Sequence, residues 1–141
     1  MEIILLLERS SDLGVQSYPT DSSNQISNPQ LKKAVIYIEN NYHNNISLES
    51  LVRSASINHS TLTQLFKNEF NMTPIEYLWN HRLVVAKKFL EFTELPIKDI
   101  ALRCGFKTTQ HFSRRFEDSV GSTPSEFRAI TVARRKQTLH I

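Results

Sequence analysis

Two polar runs hold the side chains best suited to chemistry. The first offers Asn58, His59, Ser60, Thr61, Thr63, Gln64 and Lys67, and the second Lys107, Thr108, Thr109, Gln110, His111, Ser113, Arg114 and Arg115. No acidic residue interrupts either run before Glu69 or Glu117. Donors, acceptors and cations without carboxylates suit a polyanion, since a carboxylate facing phosphates is repelled. Arg114 has the planar fork that meets O6 and N7 of guanine, and Gln64 and Gln110 carry the paired donor and acceptor that meet N6 and N7 of adenine. Ser60, Thr63, Thr109 and Ser113 suit phosphates, adaptable hydrogen bonds or, through a threonine methyl, thymine. Arg115 follows Arg114 by one position and so points about 100° away on a helix, which assigns it to phosphate or to surface charge. His59, Lys67, Lys107 and Ser113 complete the expected phosphate contacts.

These runs must be held by something, and the chain holds both in the same way. Residues 51–74 read LVRSASINHSTLTQLFKNEFNMTP and residues 100–124 read IALRCGFKTTQHFSRRFEDSVGSTP. Each begins with an apolar pair and a small residue (Ala55, Cys104), then turns at Ser56-Ile57-Asn58 or Gly105-Phe106-Lys107. The segment after the turn carries Leu62, Phe66 and Phe70 in one copy and Phe112, Phe116 and Val120 in the other. That i, i+4, i+8 spacing lies along one helix face. Each copy closes on Thr-Pro-x-Glu-aromatic, at Thr73 to Tyr77 and at Thr123 to Phe127. The offset between copies is 49 residues before the turn (Leu51 to Ile100) and 50 after it (Phe66 to Phe116), so one residue is inserted between Phe106 and Phe112, expected near Thr108–His111. A short helix, a tight turn and a second amphipathic helix form a helix-turn-helix. In its nucleic-acid version the second helix enters the major groove and reaches base edges with polar side chains.

The surrounding segments complete an all-α chain of seven helices. Asn28 and Pro29 open a helix with Leu31, Ala34, Val35, Ile38 and Tyr42 on its apolar face. The first helix-turn-helix is expected at about 48–70, a long linker helix at about 74–92, the second helix-turn-helix at about 97–120, and a closing helix from Pro124 to about Ala133. The linker helix is unbroken by glycine or proline after Pro74 and should act as a stiff spacer. Residues 29–133 thus form the domain, residues 134–141 a basic and frayed tail, and residues 1–28 a remnant of an upstream helix (MEIILLLER) followed by a flexible linker rich in Ser, Asp, Asn, Gln and Pro. Charge divides along the same boundary. Lys and Arg total 17 against 14 acidic residues, but residues 1–28 hold Glu2, Glu8, Asp12 and Asp21 against Arg9, so the repeated part is the basic part.

Several function classes are disfavoured. A single cysteine, Cys104, allows no internal disulfide and no cysteine-rich zinc site, and its counterpart Ala55 marks it as a small core residue. The five histidines show no ligand spacing, so no metal is expected, and no cofactor motif or catalytic arrangement of side chains stands out. The longest apolar run, Ile3 to Leu7, is far shorter than the ~18 residues that cross a bilayer. Acidic Glu2 and Glu8 flank it where a signal peptide needs a basic start.

The pattern Ile97-x-x-Ile100-Ala101-x-x-Cys104-Gly105-Phe106, Phe112-Ser113-Arg114-x-Phe116, Gly121-x-Thr123-Pro124-x-Glu126-Phe127-Arg128 resembles the DNA-binding domain of AraC/XylS-type transcription regulators. Tyr77-Leu78-x-x-x-Arg82-Leu83-x-x-Ala86-x-x-x-Leu90 is similar to that family's linker helix, and the resemblance covers residues 29–130. It implies two homeodomain-like helix-turn-helix subdomains on a rigid helix, reading adjacent major grooves of double-stranded DNA. Base contacts would then fall on Ser60, Thr63, Gln64, Thr109, Gln110 and Arg114. It further implies a cytoplasmic bacterial activator that meets RNA polymerase. A small-molecule effector would act only through a missing N-terminal domain, and this chain alone would be monomeric. Two positions depart from the pattern: Ser56 and Asn71 stand where the second copy has Gly105 and Gly121. The first face is also almost uncharged beside the second, so the second copy should dominate affinity. The competing class is a helix-turn-helix protein-interaction module, which would show acidic or apolar recognition faces.

Overall fold

The computed structural model describes residues 25–139; the expected helix remnant at 1–9 and the linker up to residue 24 lie outside the described residues. Within them the chain forms seven helices: α1 (Pro29–Asn41), α2 (Leu48–Ala55), α3 (His59–Phe70), α4 (Pro74–Phe92), α5 (Ile97–Arg103), α6 (Thr109–Val120) and α7 (Pro124–Leu139). Most starts are set by a side chain that satisfies an orphan backbone donor. Asn28 Oδ1 accepts from Leu31 N at 3.0 Å, Asn58 Oδ1 from Thr61 N at 2.8 Å, and Thr108 Oγ1 from His111 N at 3.0 Å.

The repeated Thr-Pro-x-Glu motif explains itself in the same terms. Thr73 N donates to Glu76 Oε1 at 2.8 Å while Glu76 N donates to Thr73 Oγ1 at 3.1 Å, and Thr123 and Glu126 repeat the exchange at 2.9 and 3.2 Å. This is a capping box with proline in the first turn, where its missing N–H costs nothing. The backbone N–H of each threonine, helped by its hydroxyl, holds the Glu76 and Glu126 carboxyls below the usual carboxylate range.

Packing divides into two cores that share one helix. Leu31, Val35, Ile38, Leu51, Leu62 and Phe66 close on Tyr77 and Leu78 of α4, whereas Ile100, Ala101, Cys104, Phe106, Phe112 and Phe116 close on Leu83, Ala86 and Leu90 further along it. Each fully buried large side chain contributes roughly 1.5–3 kcal/mol. Since both cores need α4, neither half can rotate freely about it.

One expectation is sharpened and one is corrected. The turn residues Ser56 and Gly105 are 49 apart and the N-caps Asn58 and Thr108 are 50 apart. The extra residue therefore lies in the entry turn of α6, one position before Thr108. Phe106 is buried in the place of Ile57, and exposed Lys107 is the addition. A residue inserted inside the helix would have turned the Phe112 and Phe116 face by about 100°, and the turn absorbs it without that penalty. The closing helix also does not stop at Ala133; Arg134, Arg135 and Lys136 continue it to Leu139. That stretch contains strong helix formers and no glycine or proline, and Arg135 lies 5.8 Å over the Phe92 ring at the end of α4.

Candidate nucleic-acid interface

In both second helices the buried face is narrow, Leu62 and Phe66 in α3, Phe112 and Phe116 in α6, and the opposite face is polar. On α3, His59, Ser60, Gln64 and Lys67 are exposed and Thr63 is half-buried. On α6 and its entry, Lys107, Gln110 and Arg114 are exposed, with Thr109, Ser113 and Arg115 half-buried. Neither helix has an acidic residue in its first turn. The free backbone N–H groups and the positive end of each helix dipole add to the same field. The predicted residues thus fall into two solvent-facing surfaces.

The structure also assigns some of these polar groups to other work. Asn58 and Thr108 are caps. Gln64 Nε2 donates to Asn68 Oδ1 at 2.7 Å, a bond it must exchange before its amide can meet a base. Arg115 lies with its guanidinium 4.5 Å over the ring of Trp79 on α4.

Arg82 had no role in the sequence reading beyond its place in the linker pattern, and the structure gives it one. Only 4% exposed, it donates from Nε to the Tyr42 carbonyl and from Nη2 to the Asn44 carbonyl, both at 2.8 Å. Burial pulls its guanidinium below the ordinary value, and the two carbonyls, just past the end of α1, compensate as a cation does at a helix C-terminus. Arg128 of α7 does the same at the end of α4, reaching Leu90 and Thr93 carbonyls at 3.2 Å each. Each three-helix unit is closed by an arginine from the next helix. A signal for Arg82 existed, because it stands four residues after Leu78 and four before Ala86, in the apolar register of its helix.

A family model described as a helix-turn-helix domain matches residues 51–130. A solved regulator from Chromobacterium violaceum, described as containing an AraC-type DNA-binding domain, is 30% identical with a TM-score of 0.69, over 77% of this chain and 95% of that one. The chain belongs to the AraC family of transcription regulators. Among its AraC-type relatives is the DNA-binding domain of AdpA, solved in complex with a target DNA, with a TM-score of 0.71 and 27% identity over 79% of this chain and 99% of that one. The transcriptional activator RhaS of Enterobacter sp. (strain 638) is 30% identical over 91% of this chain and 43% of its own length. The chain spans less than half the length of the curated AraC-type relatives it matches. Among the described residues no helix is long and apolar enough to cross a membrane, and no cluster of His, Cys, Asp and Glu could hold a metal.

Proposed function

We propose that this AraC-type domain binds double-stranded DNA at a bipartite, asymmetric site, with α3 and α6 in adjacent major grooves, and that it activates transcription. The observation that carries the reading is the pair of capped helices exposing polar, acid-poor faces from one shared frame. The relatives support it: AdpA's domain is described with a target DNA and RhaS as an activator. Ser60, Thr63, Gln64, Thr109, Gln110 and Arg114 are the proposed base contacts, and His59, Lys67, Lys107 and Ser113 the phosphate contacts. Arg115, half-buried on Trp79, reaches phosphate only with the outer edge of its guanidinium.

The proposal extends to a cytoplasmic setting, RNA polymerase as a partner, a small-molecule effector acting through an N-terminal domain, and a monomer when this chain stands alone. Catalysis has no support at the one thiol, because burial pushes Cys104 up to about 12 and leaves it protonated. The test is selection of bound fragments from a random duplex library. An enriched asymmetric motif with two base-preferring blocks about one helical turn apart supports the reading. Retention of all sequences alike, or of none, overturns it.

A further inference from the structure

Trp79 is the only tryptophan in the chain, and it stands where the two halves meet. Two guanidinium groups lie over its ring, Arg82 at 4.6 Å and Arg115 at 4.5 Å. Phe106 and His111 approach it at 5.3 and 5.2 Å. These neighbours come from different places: Arg82 from α4 itself, Phe106 from the second turn, His111 and Arg115 from α6. Arg82 simultaneously grips the first half through the Tyr42 and Asn44 carbonyls. The second turn leaves no slack beside it, since a Cβ on Gly105 would sit 2.6 Å from the Tyr42 carbonyl oxygen and 2.9 Å from Arg82 Nε.

The contacts therefore run without a gap from the α1–α2 loop through Arg82 and Trp79 to Arg115 on the second reading helix. Two like charges repel, and a single ring holds both here because an indole face attracts each of them. Simple core filling would need neither cation. Trp79 is also only half-buried and borders an open cleft of about 530 Å³ between the halves, which places it at a joint and not inside a core.

We infer that Trp79, clamped by Arg82 and Arg115, is a positioning residue that fixes the angle between α3 and α6 and thereby sets the half-site spacing the domain accepts. The inference rests on the bipartite DNA reading above. A rigid two-headed reader loses simultaneous engagement when its half-sites move, so the wild-type chain should lose about tenfold or more when one or two base pairs are added or removed between them.

The experiment measures affinity for the selected site and its spacing variants with the wild type, Trp79→Ala, Trp79→Phe and Arg82→Lys. Trp79→Ala should lose about tenfold at the native spacing and little at the altered ones, which flattens the profile. Trp79→Phe, which keeps a weaker ring face, should restore part of the preference. Arg82→Lys keeps the charge but loses the rigid planar fork that meets the two carbonyls through separate nitrogens and lies over the ring, and should flatten it as well. An equal loss at every spacing, or no loss, would make Trp79 a packing residue and overturn the inference. If Trp79→Ala gives no cooperative melt, unchanged profiles in both other variants overturn it. Failure of the wild type to select any site would instead sink the bipartite reading, and this inference with it.

Discussion

Arg114 and His81 put two basic side chains to opposite uses, one exposed on a reading helix and the other buried in the linker helix. Exposed on the outward face of α6, four positions after Gln110, Arg114 is free to present its fork to a guanine edge. Arg114→Ala should cost about 1–3 kcal/mol of binding, concentrated at one base pair. Affinities across all single-base variants of the site check this, and an equal loss on every variant would move Arg114 to the phosphate set. His81, 9% exposed, packs edge-on to Tyr42 at 5.1 Å, and its Nδ1 is without a hydrogen-bond partner among the described residues. Burial, with Lys88 and Arg82 adding repulsion, lowers it to about 4. Above pH 6.5 it is neutral whether folded or unfolded and adds no pH dependence. As pH falls from 6.5 to 4 only the unfolded chain takes up the proton, so stability should drop by about 3 kcal/mol in the limit. His81→Phe keeps a ring against Tyr42 and should remove that slope, read as urea midpoints at pH 7 and 4.5. The capping glutamates, whose pKa values are lowered, lose their contribution as pH falls from the usual carboxylate value toward their lowered ones, so their slope persists in the variant at the acid end.

Turns and helix ends show which parts of an element are written locally. The starts at Asn28 and Pro74 were legible because a cap lies within three positions of the N–H it satisfies and proline suits only the first turn. The end of α7 was not, because nothing between Ala133 and Leu139 breaks a helix and the contact of Arg135 with Phe92 on α4 joins residues far apart in the chain. Apolar spacing could bracket the inserted residue between Phe106 and Phe112 but not place it, since both flanking aromatics belong to the core either way. Arg82 announced itself by standing in the apolar register, yet its partners were hidden 40 and 38 residues away. The left-handed positions can be ranked by their surroundings. Gly105 (φ +93°) faces the Tyr42 carbonyl and Arg82, whereas Gly121 (φ +92°) has nothing within 4 Å of an added Cβ. Gly105→Ala adds overpacking to backbone strain and should cost about 2–5 kcal/mol, and Gly121→Ala only about 1–2. Ser56 already bears that strain at φ 58°. Ser56→Gly should therefore gain about 0.5–1 kcal/mol, after subtracting the glycine's larger entropy in the unfolded chain. Denaturant midpoints of the three variants test the ranking, and equal costs at Gly105 and Gly121 would refute the close approach.

Over the whole molecule the two copies agree in their cores and disagree on their faces, and the disagreement predicts how the energy of binding is divided. The first face exposes Lys67 as its one lysine or arginine among polar groups, while the second presents Lys107, Arg114 and half-buried Arg115. Affinity for phosphate is paid in released counterions, so each cation that touches a phosphate adds about 0.9 to the slope of log affinity against log salt. Lys67→Gln and Lys107→Gln should each lower that slope by about 0.9. Gln64→Ala should leave it unchanged and alter base preference instead, because a neutral amide displaces no counterion. Titrations of the selected site between roughly 50 and 200 mM salt separate the two kinds of contact. The second half should carry the larger share of the slope, because it carries more of the cations. If Lys67→Gln leaves the slope intact, the first face reads bases without gripping the backbone, and the second half alone anchors the domain on DNA.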